Sequence, residues 1–265
     1  MEVLREGYRI PFVKTPQLSK DPVLLDSYPL SSPKRKALAL EINNLISKGA
    51  VEPAPPAPLF YSRMFVVLKA SGAWHLIMDL STFNKCVMGT KFWIKMVQSV
   101  MASVRKGDWM VSLDLKDAYL QVSIHLKSRQ FLDFSTSRGT FQFKVLCFGL
   151  TTSLQVFTQV MAPVSVMLHS LGIRMLRYLD DWLIQASSRE FCIWARDQVM
   201  HLCSELGIIL NLTKSQLDPT QIVTYLGMVI NAWTLRVSPM EKRVLTLVSL
   251  VEEFLSSSMS QPAGF

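Results

Sequence analysis

Hydrophobic positions change period several times along the chain, and each change marks an expected element. The first thirty residues carry scattered Pro and little periodicity, which reads as an extended arm (1–30) laid over something else. A helix follows: Ser32 suits an N-cap, Pro33 the first helical position, Leu38, Ile42, Leu45 and Ile46 form one apolar face, and Gly49 supplies the stop. Pro53 to Pro58 is a stiff connector. Arg63 to Lys69 and Trp74 to Leu80 are β-rich runs split by Ala70-Ser71-Gly72-Ala73, a hairpin signature. A second hairpin is expected from Phe131 to Phe134 and the alternating Phe141, Phe143 and Val145, around the turn-forming cluster Ser135 to Gly139. Between them Val111 to Leu115 reads as a short strand bearing Asp114.

Further on, about Ser153 to His169 reads as helix, and Ile173 to Tyr178 and Trp182 to Ile184 as strands joined at Asp180-Asp181. Ser187 with Glu190 makes a capping box for the next helix, whose face is expected to comprise Phe191, Trp194, Gln198, Leu202 and Leu206, with Gly207 at its end. Short strands surround Tyr225-Leu226-Gly227, a last helix runs from Pro239 to about Leu255, and Ser256 to Phe265 is ragged. No internal repeat is visible. The mixed order predicts an α+β fold, an antiparallel sheet with helices on one face.

Composition changes the picture modestly. Lys and Arg number 28 against 20 Asp and Glu, a net charge of +8, with clusters at Lys34-Arg35-Lys36, Arg105-Lys106 and Lys242-Arg243. That excess favours a polyanionic partner, although solvated charge runs explain it equally well. Cys86, Cys147, Cys192 and Cys203 form no metal-ligand spacing and read as reduced thiols of an intracellular protein. No run is long and apolar enough to span a membrane, and Met1 to Arg9 lacks a signal-peptide core, so neither secretion nor membrane insertion is expected.

Two acidic clusters sit in apolar strand contexts: Leu113 to Tyr119 (LDLKDAY) and Tyr178 to Trp182 (YLDDW). Alone, the second reads as an ordinary turn and the first as an exposed Asp on a half-buried strand. Together they admit another reading. If the two strands pair, several carboxylates converge against their own repulsion, and a divalent cation would resolve the conflict. Mg²⁺ suits hard oxygen ligands and completes its shell with substrate phosphates. Two such ions, about 3.5–4 Å apart, clamp the attacking and leaving oxygens of an in-line phosphoryl displacement.

The ordered set LDLKDAY, FKVLCFGL (Phe143 to Leu150), YLDDW, LGIILNLTKS (Leu206 to Ser215) and YLGMVI (Tyr225 to Ile230) resembles the palm motifs of reverse transcriptases. With GYRIPF (Gly7 to Phe12) and YSRMFVV (Tyr61 to Val67), it looks most like retrotransposons of the DIRS group, which use a tyrosine recombinase. The resemblance runs from about Gly7 to Leu255. It implies a right-hand polymerase fold with fingers over about 31–89 and 122–150, palm over about 90–121 and 151–237, and only the start of a thumb in 238–265. The implied activity is RNA-directed DNA polymerisation with two Mg²⁺ ions, for which Mn²⁺ can substitute. The implied partners are an RNA or DNA template-primer duplex and deoxynucleoside triphosphates, with oligomeric state open. Asp114 and Asp180 are implied as principal metal ligands, with Asp181 beside them and the Leu115 carbonyl assisting. Asp117 and Ala118 would offer amides to the triphosphate, and Tyr119 would exclude a ribose 2′-hydroxyl. Phe148-Gly149 would face the nascent pair, Lys69 the γ-phosphate and Lys214 the pyrophosphate. Tyr225-Leu226-Gly227 would form the primer grip. Bland alternatives stand beside these roles: core packing for Tyr119, a turn for Gly149 and a surface position for Lys214.

Departures from the family pattern are also visible. His75 follows Trp74 where the family usually has Arg, so a permanently charged donor fork is lost, at a cost of about 1.5–3 kcal/mol. Cys147 and Leu154 stand at positions where Pro is common, and Ala70-Ser71 replaces a more charged turn. The chain is expected to stop before any RNase H or recombinase domain. The alternatives to an active enzyme are a catalytically silent nucleic-acid-binding relic, a fragment of a polyprotein, an inert scaffold, and an RNA-templated RNA polymerase, the last disfavoured by Tyr119.

Overall fold

The computed structural model describes residues 2–21, 28–29, 31–56, 58–69, 72–89 and 97–259. Ala70 and Ser71 of the expected fingers turn, and 260–265 of the tail, lie outside them. In chain order the elements are α1 (Glu2–Glu6), α2 (Pro33–Ser47), β1 (Val51–Pro53), β2 (Arg63–Leu68), β3 (Trp74–Asp79), α3 (Ser81–Asn84), α4 (Val97–Ser103), β4 (Trp109–Asp114), a 3-10 turn (Ala118–Gln121), α5 (Leu126–Arg129), β5 (Asp133–Thr136) and β6 (Gly139–Phe143). Then follow α6 (Ser153–Ser170), β7 (Arg174–Tyr178), β8 (Asp181–Ala186), α7 (Arg189–Glu205), β9 (Gln216–Thr220), β10 (Ile222–Tyr225), β11 (Met228–Asn231), β12 (Arg236–Pro239) and α8 (Glu241–Met259). The chain forms two compact units, Met1–Trp93 with Asp117–Val164, and Ile94–Lys116 with Ser165–Phe265.

In the first unit the N-terminal arm is laid down as expected, through bridges Tyr8 to Ile124, Phe12 to Val87 and Ser19 to Leu59, although it opens with the helical turn α1. Phe83, fully buried, centres an aromatic core with Phe12, Phe60 and Phe131 at ring distances of 5.9, 5.2 and 6.2 Å. The Ser32 side chain accepts from the Lys34 amide and starts α2, which buries Ala37, Leu38 and Ile42. Ile46, expected on that face, is 40% exposed, because the buried stripe ends a turn earlier. β2 and β3 pair antiparallel in the expected hairpin, and β1-β6-β5 form a separate sheet. The second hairpin turns more tightly than expected. Thr136 pairs with Gly139, and Ser135 and Thr136 are buried strand residues rather than turn, their hydroxyls bonded to the Thr140 hydroxyl and the Gly139 carbonyl.

The second unit holds a four-stranded antiparallel sheet, β7-β8-β4-β9, and a smaller one, β10-β11-β12. α7 packs on β8, β9 and β4, and here two expectations fail. The N-cap is Ser188, whose hydroxyl accepts from the Phe191 amide, not Ser187. The buried face is Cys192, Ala195, Val199, Leu202 and Cys203, while Phe191, Trp194 and Leu206 are exposed. Small side chains let the helix approach the sheet closely, and the two large rings stack on each other outside, 5.1 Å apart. Met110, Leu183, Val223, Tyr225, Ile230 and Ala232 share the core between the sheets of this unit. Residues through Pro239 extend β12, so the last helix begins at Glu241 rather than Pro239. Among the described residues no helix is long and apolar enough to cross a membrane.

Candidate functional site

β4 is an inner strand, flanked by β8 and β9, and its end carries Asp114. The register sets Asp114 directly across from Asp181, and the Leu115 amide donates to the Asp180 carbonyl at 2.8 Å. From the other side, the Asp114 amide donates to Ser215 Oγ at 3.0 Å and its carbonyl accepts from the Asn211 amide at 2.8 Å. Ser215 Oγ in turn donates to the Asn211 carbonyl, which fixes the hydroxyl. Asp114 is therefore gripped along its backbone from two neighbouring segments. The Asp180-Asp181 corner is held as tightly. Tyr178 pairs with Asp181 across a two-residue turn in which Leu179 has φ +54°, a conformation normally given to Gly. Such strain costs on the order of 1–3 kcal/mol and persists where surroundings over-determine it. Here the buried Trp182 ring donates from Nε1 to the Leu179 carbonyl at 3.1 Å.

The electrostatics follow from this crowding. Burial, and then the charge of Asp114, raise the Asp180 carboxyl above its ordinary range. Burial, Asp180 and Asp114 push Asp181 up to about 6, with Lys214 opposing both shifts. Among the described residues no three His, Cys, Asp or Glu side chains form a ready-made metal cage. Mg²⁺ does not need one: it binds through one or two carboxylates and keeps waters and substrate phosphates as remaining ligands. Asp114 and Asp181, opposed across the strand pair, fit that demand, and their oxygens are hard donors.

A cavity of about 510 Å³ opens beside them, lined by Asp114, Asp181, Lys214 and the β10–β11 corner. Asp180 does not line it. The corner is a two-residue hairpin turn in which Leu226 and Gly227 both take positive φ (+53° and +72°). Tyr225, buried ahead of the turn, donates its hydroxyl to the Asp181 carbonyl at 3.0 Å, tying the two hairpins together. Arg243, from the first turn of α8, stands over Gly227 where any side chain at that position would lie.

The first unit gathers a second group. Asp117, with φ +51°, is paired to Lys48 at 2.8 Å, and among the described residues neither its amide nor that of Ala118 donates a backbone hydrogen bond. The buried Tyr119 ring meets Phe148 edge-on at 5.1 Å and Phe157 at 5.5 Å. Half-exposed Phe148 also meets His75, at 6.1 Å. Burial, and then the charge of Lys69, lower the His75 pKa, so the imidazole is neutral at pH 7. Gly149 has φ +96°, and a Cβ there would meet the Met78 carbonyl at 2.8 Å, so Gly is required for the loop to lie against β3. Cys147 is buried, its thiol pushed up to about 12, and the Cys147 carbonyl accepts from Ser153 Oγ. Lys69 is exposed at the hairpin end, and Leu115 is buried with a bridge to Leu210.

Asp114, Asp180, Asp181, Leu115, Lys214 and Tyr225 to Gly227 thus lie together in the second unit, and His75, Tyr119, Phe148 and Gly149 in the first. Reading the sequence missed Ser215, Asn211 and Arg243. Ser215 closes the LGIILNLTKS motif, one residue after the lysine that drew notice, and its partner Asp114 is 101 residues away.

Comparison with known proteins gives these features a context. Residues 67–230, more than half of the chain, match the family described as reverse transcriptase (RNA-dependent DNA polymerase). A Gag-Pol polyprotein of Rous sarcoma virus subgroup B is 30% identical over 217 residues, which are 78% of this chain and 13% of that polyprotein. The transposon Tf2-3 polyprotein of Schizosaccharomyces pombe is 22% identical over 84% of this chain and 15% of its own length. The chain therefore spans a small part of these relatives. A foamy viral protease-reverse transcriptase solved in complex with double-stranded DNA superposes with a TM-score of 0.73 at 18% identity, over 89% of this chain and 40% of that one. Another, in complex with an RNA/DNA hybrid, gives 0.68 at 19% identity over 87% and 29%. At that identity the likeness speaks to the fold, a mixed helix and antiparallel-sheet polymerase architecture. The family match over more than half of the chain, with its acidic corner and hairpins folded as described, makes this chain a member of the reverse transcriptase family from retroelement or retroviral polyproteins.

Proposed function

We propose that this chain carries RNA-directed DNA polymerisation: nucleotidyl transfer onto a primer 3′-hydroxyl, with deoxynucleoside triphosphates as substrate and an RNA or DNA template-primer duplex as partner. The observation that carries the reading is the opposition of Asp114 and Asp181 across β4 and β8, with Asp180 at the turn. Two Mg²⁺ ions would be held by Asp114, Asp180 and Asp181 with the Leu115 carbonyl. When bound they supply charge neutralisation at the attacking and leaving oxygens. Asp114 and Asp181 face the cavity into which phosphates would enter, and Lys214 beside them is placed to give a proton to departing pyrophosphate. Tyr225, Leu226 and Gly227 orient the 3′ end, since their turn is anchored to the Asp181 carbonyl. In the first unit, Lys69, His75 and the amides of Asp117 and Ala118 receive the triphosphate, and Tyr119 with Phe148 and Gly149 bounds the sugar and base. The domains would be an arm over 1–30, fingers and palm over 31–237, and the start of a thumb over 238–265. GYRIPF and YSRMFVV support placement in the DIRS group, and free thiols with buried Cys147, Cys192 and Cys203 support a reducing compartment, cytoplasm or nucleus.

Primer extension with Mg²⁺ or Mn²⁺ tests this. Asp180→Asn and Asp114→Asn are expected to lower extension roughly a thousandfold or more, as several kcal/mol of transition-state stabilisation is removed. Equal extension by the variants would assign the activity to a contaminant. A second reading is favoured by one observation: the neutral His75 leaves the triphosphate without a fixed cation at that position. It holds the chain to be a silent nucleic-acid binder, and any extension abolished by Asp180→Asn rejects it.

A further inference from the structure

The cavity beside the carboxylates has two cations on its wall, and they stand in different places. Lys214 is the one that the carboxyls feel: it opposes the upward shifts of Asp180 and Asp181. Arg243 comes from the first turn of α8. It lies instead over the β10–β11 turn, its guanidinium in the volume a Gly227 side chain would fill. Among the described residues no hydrogen bond or ion pair engages that guanidinium, although Glu241 is close by in sequence. Gly227 thus has two duties. Its φ of +72° completes the hairpin turn, and its missing side chain leaves room for a charged plane on the cavity wall.

From this we infer that Arg243 is a primer-positioning residue, which holds a backbone phosphodiester of the strand being extended, close to its 3′ end. A guanidinium is always charged, presents a planar donor fork and matches two phosphate oxygens at once, whereas Lys acts as a point charge. The position over the turn, apart from the acidic corner, assigns it the strand phosphate rather than the triphosphate. The inference rests on the polymerase reading for the identity of the strand, but its measurement needs no turnover.

The test is fluorescence anisotropy with a recessed-primer duplex, titrated with salt, for the wild type, Arg243→Gln and Arg243→Lys. Arg243 is exposed, and unchanged melting temperatures of the variants establish that the fold is retained. Loss of a charge-assisted bond predicts about tenfold weaker binding for Arg243→Gln, with the log–log salt slope smaller by about one. Arg243→Lys keeps most of the slope but loses affinity. A neutral methylphosphonate, moved along the last few primer linkages, should weaken the wild type at one linkage and leave Arg243→Gln indifferent there. Equal affinity and slope in wild type and Arg243→Gln overturns the inference. So does an effect confined to the KM for deoxynucleotide, which would move Arg243 to the triphosphate. An inert chain that shows the linkage-specific loss keeps Arg243 in its role and sinks polymerisation. A polymerising chain without that loss does the reverse.

Discussion

Asp180 and Asp181 are unfavourably placed in the absence of a cation, since burial and neighbouring charge both oppose their ionisation. Asp180→Asn is therefore expected to raise the melting temperature in EDTA by a few degrees, about 2–4 °C per kcal/mol for a chain of this size, and to diminish the further rise that Mg²⁺ gives the wild type. Differential scanning fluorimetry with and without Mg²⁺ reads both. Another carboxylate adds to the pH response that the raised Asp180 and Asp181 already give. Asp133 is completely buried in β5, neither of its oxygens finds a partner among the described residues, and burial raises its pKa to about 8. A folded pKa above the unfolded value of 3.8 means stability that is full below about pH 4 and is lost as pH rises through 8. Chemical denaturation of the wild type should thus show stability falling by on the order of a few kcal/mol across that window. Asp133→Asn should flatten the fall, and an unchanged pH profile would show that Asp133 is charged and compensated in the folded protein.

Hairpins and helices were legible in the sequence to different degrees, and the reasons are physical. Turn chemistry announced β2–β3, while the Tyr225 to Met228 corner was marked only by the short strands on either side of it. The face of α7 was misread because size was weighed above spacing: Cys192, Ala195, Val199 and Cys203 are modest side chains, yet they keep helical period and allow close approach to the sheet. Asp114 and the Asp180 corner were legible as a pair, but Ser215 and Arg243 act through contacts between distant segments, which no local pattern encodes. Two substitutions probe the elements so joined. Tyr225→Phe removes the bond to the Asp181 carbonyl and should cost about 1 kcal/mol in urea denaturation, with a higher KM for primer duplex. Gly149→Ala must open the loop from the Met78 carbonyl and hold Ala at φ +96°, and should cost more, about 1–3 kcal/mol by the same measurement.

The net charge of +8 belongs to the chain as a whole and, under the proposed function, would set how strongly duplex is held. If its Lys and Arg side chains neutralise about six phosphates, affinity should fall by about 10³ between 50 and 200 mM salt, which an anisotropy titration measures directly. A shallow dependence would mean that base or sugar contacts dominate. The α+β class and the antiparallel sheets were readable from the alternation of patterns, whereas periodicity says nothing of two units each built from two separated stretches of chain; only the resemblance implied such a division, at about 31–89 with 122–150 and 90–121 with 151–237.

The location of Asp114 on an inner strand, laced on both edges, has a consequence for how the protein comes apart. Amide protons of Val111 to Leu113 are screened by β8, β9 and the helix above, so deuterium should enter them only when the entire second unit opens. A carboxylate mounted there is insulated from the fraying that loosens chain ends and loops. Heat should therefore loosen chain ends and loops before it dislodges the Asp114 carboxylate from its strand.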